Sequence, residues 1–351
     1  MNEPRASRSD LHIAVVGYGS IGRRHFDNLA ALGVSRRTLV RRDEPNPAFA
    51  TPEAATVVHS HDEAIALGID AAIIANPTRL HLAAAEAYVS GGVPVLIEKP
   101  LMGIPCGDDV QRFTTLVRAS QTTVAMAYCM RYHPAYRLAQ EAIAAGEIGR
   151  VLYAKTWFES YLPDWHPWED YRTSYAARRD LGGGVLPTVD HDIDFLAWCL
   201  GLTESASGGS ANSGSLGIDA DDVATIVLRH AGGAVSTAVM SLCRRDRRRG
   251  FEFIGESGTL RYAMEGASET GAPLERIRPG EPTRSLWQDA DYDLNTMYRD
   301  MLADFLDAIV TGRGAPIPLA AGIDAARACA ATLSVCRRPM TKPSFREGEG
   351  T

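Results

Sequence analysis

The chain has 351 residues, 45% of them apolar, which is enough for two domain cores and too few for three. A net charge of −7 argues against general nucleic-acid binding. No apolar run reaches membrane-spanning length, and the polar first ten residues lack the apolar stretch of a secretion signal, so the expected setting is the cytoplasm.

Residues 1–10 are expected to be disordered, and a dinucleotide-binding domain is expected over residues 11–127. It opens with a buried strand, His12–Val16, followed by Gly17-Tyr18-Gly19-Ser20-Ile21-Gly22 and a helical pattern with Ile21, Phe26, Leu29 and Leu32 on one side. Strand, tight glycine turn and helix form a dinucleotide cradle: two glycines let the backbone approach a pyrophosphate, and the helix N-terminus offers free N–H groups and positive dipole. Further strands are expected at Thr38–Val40, Ala71–Ala75, Val93–Ile97 and Thr123–Ala127, with helices between most of them. Short apolar strands alternating with helices predict a doubly wound parallel sheet. After residue 127 the pattern changes. A helix over Ala135–Ala145 leads to a strand over Val151–Phe158, an irregular aromatic-rich segment to Asp180, and a Gly182-Gly183-Gly184 break. A helix over Leu186–Leu200 comes next, and Ser205–Gly217 reads as a loop. Strands at Asp222–Arg229, Ala234–Ser241, Gly250–Gly255 and Gly258–Tyr262 predict a mostly antiparallel sheet. Met297, Met301, Leu302, Phe305, Leu306 and Ile309 recur at helical spacing and read as core. The second domain is expected over residues 128–340, with a disordered tail over 341–351.

The six cysteines, at 106, 129, 199, 243, 329 and 336, show no C-x-x-C spacing and read as reduced thiols. The basic run Arg244-Arg245-Asp246-Arg247-Arg248-Arg249 reads as a solvated hairpin end, with a phosphate or partner contact as the alternative. About twenty residues after the glycines, where the ribose is read, stand Arg41 and Arg42, ahead of Asp43. Arginines there favour the 2′-phosphate of NADP, with NAD as the alternative. Asn76-Pro77-Thr78, with His81 in the following helical turn, should face the cofactor. Glu98-Lys99-Pro100 ends another buried strand, at the sheet edge where ligands of such folds sit. Lys99 there can exchange a proton with a substrate hydroxyl. In Asp190-His191-Asp192-Ile193-Asp194, a helix puts His191 and Asp194, and Asp190 and Asp194, on one face. An acid beside an imidazole suits a proton relay. No metal is expected, because hydride transfer to nicotinamide needs none. Tyr161, Asp164, Trp165, His166, Trp168, Tyr171, Arg172 and Arg178 offer aromatic faces and hydrogen-bonding groups for a polyhydroxylated ligand, with the arginines available for a carboxylate or phosphate.

In this order and spacing the motifs resemble the Gfo/Idh/MocA family, named for glucose-fructose oxidoreductase and inositol dehydrogenase. The likeness rests on Gly17–Gly22, Ala75-Asn76-Pro77-Thr78 with His81, Glu98-Lys99-Pro100, Arg131-Tyr132-His133-Pro134, Gly182-Gly183-Gly184 and His191-x-x-Asp194. It implies an N-terminal Rossmann domain and a C-terminal α/β domain whose open-faced sheet covers the substrate and joins homodimers or homotetramers. It also implies a cis Lys99–Pro100 bond and catalytic roles for Lys99 and His191; Arg131 and Arg178 are expected separately among the substrate-binding residues. Many members carry an aspartate four residues before the histidine, where this chain has Pro187, so Asp190 or Asp194 stands in. The implied activity is NAD(P)-dependent hydride exchange with a secondary alcohol or ketone of a sugar or cyclitol. The alternatives are a non-catalytic NAD(P)-binding sensor of the same fold, and a hydrolase or isomerase that recycles its cofactor internally.

Overall fold

A computed structural model describes residues 7–41, 51–52, 55–103, 107–165, 167, 169–266 and 270–333. The apolar runs of the first third form β1 (His12–Val16), β2 (Arg36–Val40), β3 (Thr56–Val58), β4 (Ala71–Ile74), β5 (Val95–Ile97) and β6 (Val124–Met126). They pair in parallel in the order β3-β2-β1-β4-β5-β6. Between them run α1 (Ser20–Ala31), α2 (His61–Ala66), α3 (His81–Ser90) and α4 (Asp108–Ser120). Every residue of β1 and β4 is buried, as continuous apolar strands covered on both faces must be. The strand order reverses between β1 and β4, so their carboxyl ends open a crevice.

The second half begins with α5 (Pro134–Ala144) and β7 (Val151–Tyr161), then α6 (Val185–Thr188) and α7 (His191–Leu200). Seven further strands follow: β8 (Thr203–Ala211), β9 (Val223–His230), β10 (Val235–Ser241), β11 (Cys243–Gly255), β12 (Thr259–Glu265), β13 (Leu274–Ile277) and β14 (Arg284–Trp287). α8 (Asn295–Thr311) and α9 (Leu319–Leu333) complete the described chain. The sheet order is β14-β13-β12-β11-β7-β10-β9-β8; β7 and β10 run parallel and the other neighbours antiparallel. Helices pack on one face through a ring cluster in which Phe195 of α7 lies 4.6 Å from Tyr136 of α5 and 4.9 Å from Phe251 of β11. The other face carries Tyr153, Val227 and Val239 exposed. α8 lies against α1 through a reciprocal amide pair, Asn28 with Asn295, at 3.1 and 2.8 Å.

Four expectations change. Thr203–Ala211 overlaps the expected loop yet is a strand; its small polar residues show no alternation, and it holds its place by pairing with β9. The helix expected over Leu186–Leu200 breaks at Val189 and Asp190 into α6 and α7. The strand expected from Gly250 starts at Cys243, so the basic run is strand and not a hairpin end. Arg8–Asp10, expected to be disordered, form a 3-10 turn pinned by Arg8 to Asp307 at 2.6 Å. The expected tail, residues 341–351, lies outside the described residues. The second half also returns to the first sheet, where the Met126 N–H donates to the Ile317 carbonyl at 2.9 Å.

Candidate active site

The glycine turn explains itself by contact. Gly17 sits at φ +94°, and a Cβ there would lie 2.8 Å from the Ala75 carbonyl oxygen. A Cβ on Gly22 would lie 2.2 Å from the Gly17 carbonyl oxygen, while one on Gly19 would meet no atom within 4 Å. The turn is therefore closed against the protein and open toward the crevice. α1 starts at Ser20 with no side-chain cap, which leaves the first-turn N–H groups of Ser20, Ile21 and Gly22 for a ligand. A cleft of about 630 Å³ runs past Gly17, Tyr18, Gly19, Arg41, Asn76 and Pro77, and this cradle fits a dinucleotide pyrophosphate. Arg41 follows β2 directly, and its Nε is buried without a hydrogen-bond partner among the described residues. Arg42 lies outside the described residues.

Thr78, His81 and Glu98 stand behind the cleft. The two ring nitrogens of His81 face the carbonyl oxygens of Pro100 and Asn76, each at 2.8 Å. Glu98 lies 2.7 Å from His25 of α1 and accepts from the Lys99 N–H at 3.1 Å. Thr78 is buried against Gly182. These side chains fix the turns after β4 and β5 to each other and to α1, and so fix Lys99. The Lys99–Pro100 bond is cis.

Beside the cleft a second cavity, about 460 Å³, is lined by Lys99, His191, Tyr161 and Trp165 among others. The break between α6 and α7 frees the Thr188 carbonyl, and Lys99 Nζ donates to it at 2.6 Å. Asp190, at the start of α7, places Oδ1 4.0 Å from Lys99 Nζ and accepts from the Tyr128 hydroxyl at 3.0 Å. Burial pushes the Asp190 carboxyl up to about 7 against the opposing pull of Lys99. His191 is pushed well down by burial, then by Lys99 and Arg249, so its imidazole is neutral, with one N–H donor and one acceptor. Its Nε2 is 4.0 Å from Cys129 Sγ, and its Nδ1 is buried without a partner among the described residues.

Other expected site residues fall elsewhere. Asp194 accepts both arms of Arg131, at 3.0 and 2.6 Å, and Arg131 stacks on Trp198 at 5.1 Å; this pair stands off the cavity. Arg178 lines the cleft, paired with Asp180 at 2.5 Å. Arg172 pairs with Asp170 at 3.6 Å on the surface. His166 lies outside the described residues. Trp165 donates to Ser160 at 2.9 Å. Arg24 and Tyr298, absent from the sequence reading as site residues, also line the cavity, brought there by the α1–α8 packing. Among the described residues no group of three or more His, Cys, Asp or Glu is arranged to hold a metal ion, and no helix is long and apolar enough to cross a membrane. A larger concavity, about 910 Å³, lies on the other face of the second sheet, where ion pairs such as Lys155–Glu252 line it.

A dinucleotide cradle that opens beside a lysine backed by a buried carboxyl defines a dinucleotide-dependent oxidoreductase. Residues 11–128 match the oxidoreductase family with NAD-binding Rossmann fold, and residues 136–261 match the GFO/IDH/MocA C-terminal domain. The chain belongs to the Gfo/Idh/MocA family. It is 28% identical over 316 residues to a myo-inositol dehydrogenase of Streptomyces leeuwenhoekii, covering 87% of this chain and 90% of that protein. It is 27% identical over 277 residues to a 1,5-anhydro-D-fructose reductase of Ensifer adhaerens, covering 78% of each. The fold superposes on a levoglucosan dehydrogenase in complex with NADH with a TM-score of 0.77, at 20% identity, over 92% of this chain and 95% of that one.

Proposed function

We propose that the chain moves hydride between a nicotinamide dinucleotide and a secondary alcohol or ketone of a sugar, sugar derivative or cyclitol. The bound nicotinamide supplies the hydride acceptor or donor. Lys99 is the group that exchanges the hydroxyl proton in this reading, and Asp190 behind it stabilises or takes up that charge. His191, neutral and with Nδ1 available, orients the substrate hydroxyl. The observation that carries this is the position of Lys99 Nζ on the cavity wall, between the Thr188 carbonyl and Asp190. The relatives named above as inositol dehydrogenase and anhydrofructose reductase support the substrate class. Arg41 at the ribose end of the cleft supports NADP over NAD.

The bare sheet face, where Val239 lies beside Trp157 and Tyr153 and Val227 are exposed, supports a homodimer or homotetramer built through it. The test is nicotinamide absorbance over a panel of sugars, sugar acids and cyclitols with both cofactors. Turnover of one class, lost in Lys99→Ala, is expected. Cofactor binding without turnover of any compound would overturn the reading in favour of a sensor.

A further inference from the structure

Two neighbouring strands deliver the side chains that hold Asp190. β5 and β6 run parallel, with Ile97 opposite Met126. The ladder continues one step past β6, where the Ala127 N–H donates to the Ile97 carbonyl at 2.9 Å. Lys99 and Tyr128 each follow that pair by two residues, so they leave the sheet side by side at its carboxyl edge, where such folds place their ligands. The break between α6 and α7 brings Asp190 against both. Its Oδ1 lies 4.0 Å from Lys99 Nζ, and its Oδ2 accepts from the Tyr128 hydroxyl at 3.0 Å. One carboxylate oxygen is tied to the phenol, and that tie leaves the other turned to the ammonium.

Tyr128 suits a fixed donor. It is fully buried, and burial first, then the charges of Asp190 and Asp194, push its phenol well above the ordinary 10. The proton therefore stays on its oxygen. The Tyr128 ring meets His191 edge to face with the ring centres 5.8 Å apart, so one side chain touches both groups set beside Lys99. Opposing influences meet at Asp190. Burial, the largest, favours the neutral acid, and Asp194 of α7 and Glu98 at the end of β5 add to it; Lys99 and the Tyr128 hydroxyl favour the carboxylate. Tyr175, ahead of α6, also senses the Asp190 charge, and Cys329 of α9 acts electrostatically on both phenols. A hydrogen bond donated to the charged form of an acid lowers its affinity for a proton.

We propose that Tyr128 is a positioning residue for the reaction: its hydroxyl keeps Asp190 ionised and aimed at Lys99, while its ring steadies His191. This rests on the dehydrogenase reading above and adds to it a residue that touches neither cofactor nor substrate. No proton leaves Tyr128; its O–H sets the pH at which the carboxylate behind Lys99 is available.

The test uses the full-length protein and two readouts. Infrared difference spectra without substrate follow the C=O band of the protonated Asp190 carboxyl, identified by its loss in Asp190→Asn. In the wild type this band should vanish with a midpoint near the value of about 7 that the fold gives the group. Tyr128→Phe keeps the ring against His191 and removes the donor, and should move the midpoint up by about one pH unit. The acid limb of kcat/KM, on whichever compound of the panel turns over, should move with it. The rate deficit should then be about fivefold at pH 7 and less than twofold at pH 9. In the Asp190→Asn background the same substitution should leave the shape of the pH profile unchanged. 3-Fluorotyrosine placed at position 128 keeps the fold and makes the phenol a stronger donor, so it should move both midpoints down; it carries the test alone should Tyr128→Phe fail to fold. An unmoved band, or a rate lowered equally at every pH, would overturn the proposal. A shifted band with no turnover of any compound would leave the Tyr128–Asp190 pairing standing and count against hydride transfer; turnover with an unmoved band would do the reverse.

Discussion

Asp190→Asn keeps an acceptor for the Tyr128 hydroxyl and removes the negative charge behind Lys99. The folded protein raises the Asp190 carboxyl from its ordinary 3.8 to about 7, burial being the main cause and Asp194 and Glu98 adding to it. The sign follows from linkage: the folded state binds this proton more tightly than the unfolded state, so stability is lost as pH rises from 3.8 toward 7. A span of about 3 pH units at about 1.4 kcal/mol each makes the penalty on the order of 4 kcal/mol above neutral pH. Asparagine does not ionise. The variant should therefore gain on the wild type by about 2 kcal/mol between about pH 5.5 and about pH 8.5, as denaturant melts at each pH would measure. Activity should move the other way. In the wild type, kcat/KM should rise through an acid limb near 7 as the carboxylate forms, and the variant should lose that limb and fall by about 100-fold. A stability difference constant with pH, or a retained acid limb, would refute the role of Asp190.

Gly22→Ala would drive a Cβ to 2.2 Å from the Gly17 carbonyl oxygen, so dinucleotide binding, followed by nicotinamide fluorescence, should be lost. Arg41→Ala should raise KM for NADP about tenfold and move KM for NAD by less than about twofold; equal effects would remove the 2′-phosphate role. Val239→Asp places a charge on the exposed apolar strip beside Trp157 and should lower the sedimenting mass to that of a smaller assembly. An unchanged mass would move the interface elsewhere.

The parts of the site written in local chemistry are legible in the sequence. The glycine turn follows from backbone sterics at Gly17 and Gly22, and Lys99 from its place at a strand end on the crevice side of the sheet. Choices between neighbours depend on distant partners. Helical spacing groups Asp190 with Asp194, but the break at Val189 delivers Asp190 to Lys99 while Arg131, 63 residues away from Asp194 in the chain, holds that carboxylate. His81 and Glu98 look like ligand-facing residues until their bonds to Pro100, Asn76 and His25 are seen. β8 escapes a pattern search because Gly208 approaches β9 too closely for a side chain, where a Cβ would lie 2.1 Å from the Thr225 carbonyl oxygen. The arginine run is misread because like charges in sequence suggest solvent, whereas pairing with β7 draws it into β11.

Lys99→Met removes the ammonium and keeps most of the side-chain volume. Hydride transfer should fall by about 1,000-fold in single-turnover absorbance while NADH and NADPH affinity stays within about threefold, as expected when a general acid–base group is lost and the cofactor seat is not. Hydride transfer within about tenfold of wild type, under the same cofactor occupancy, would contradict the assignment of the substrate proton to Lys99.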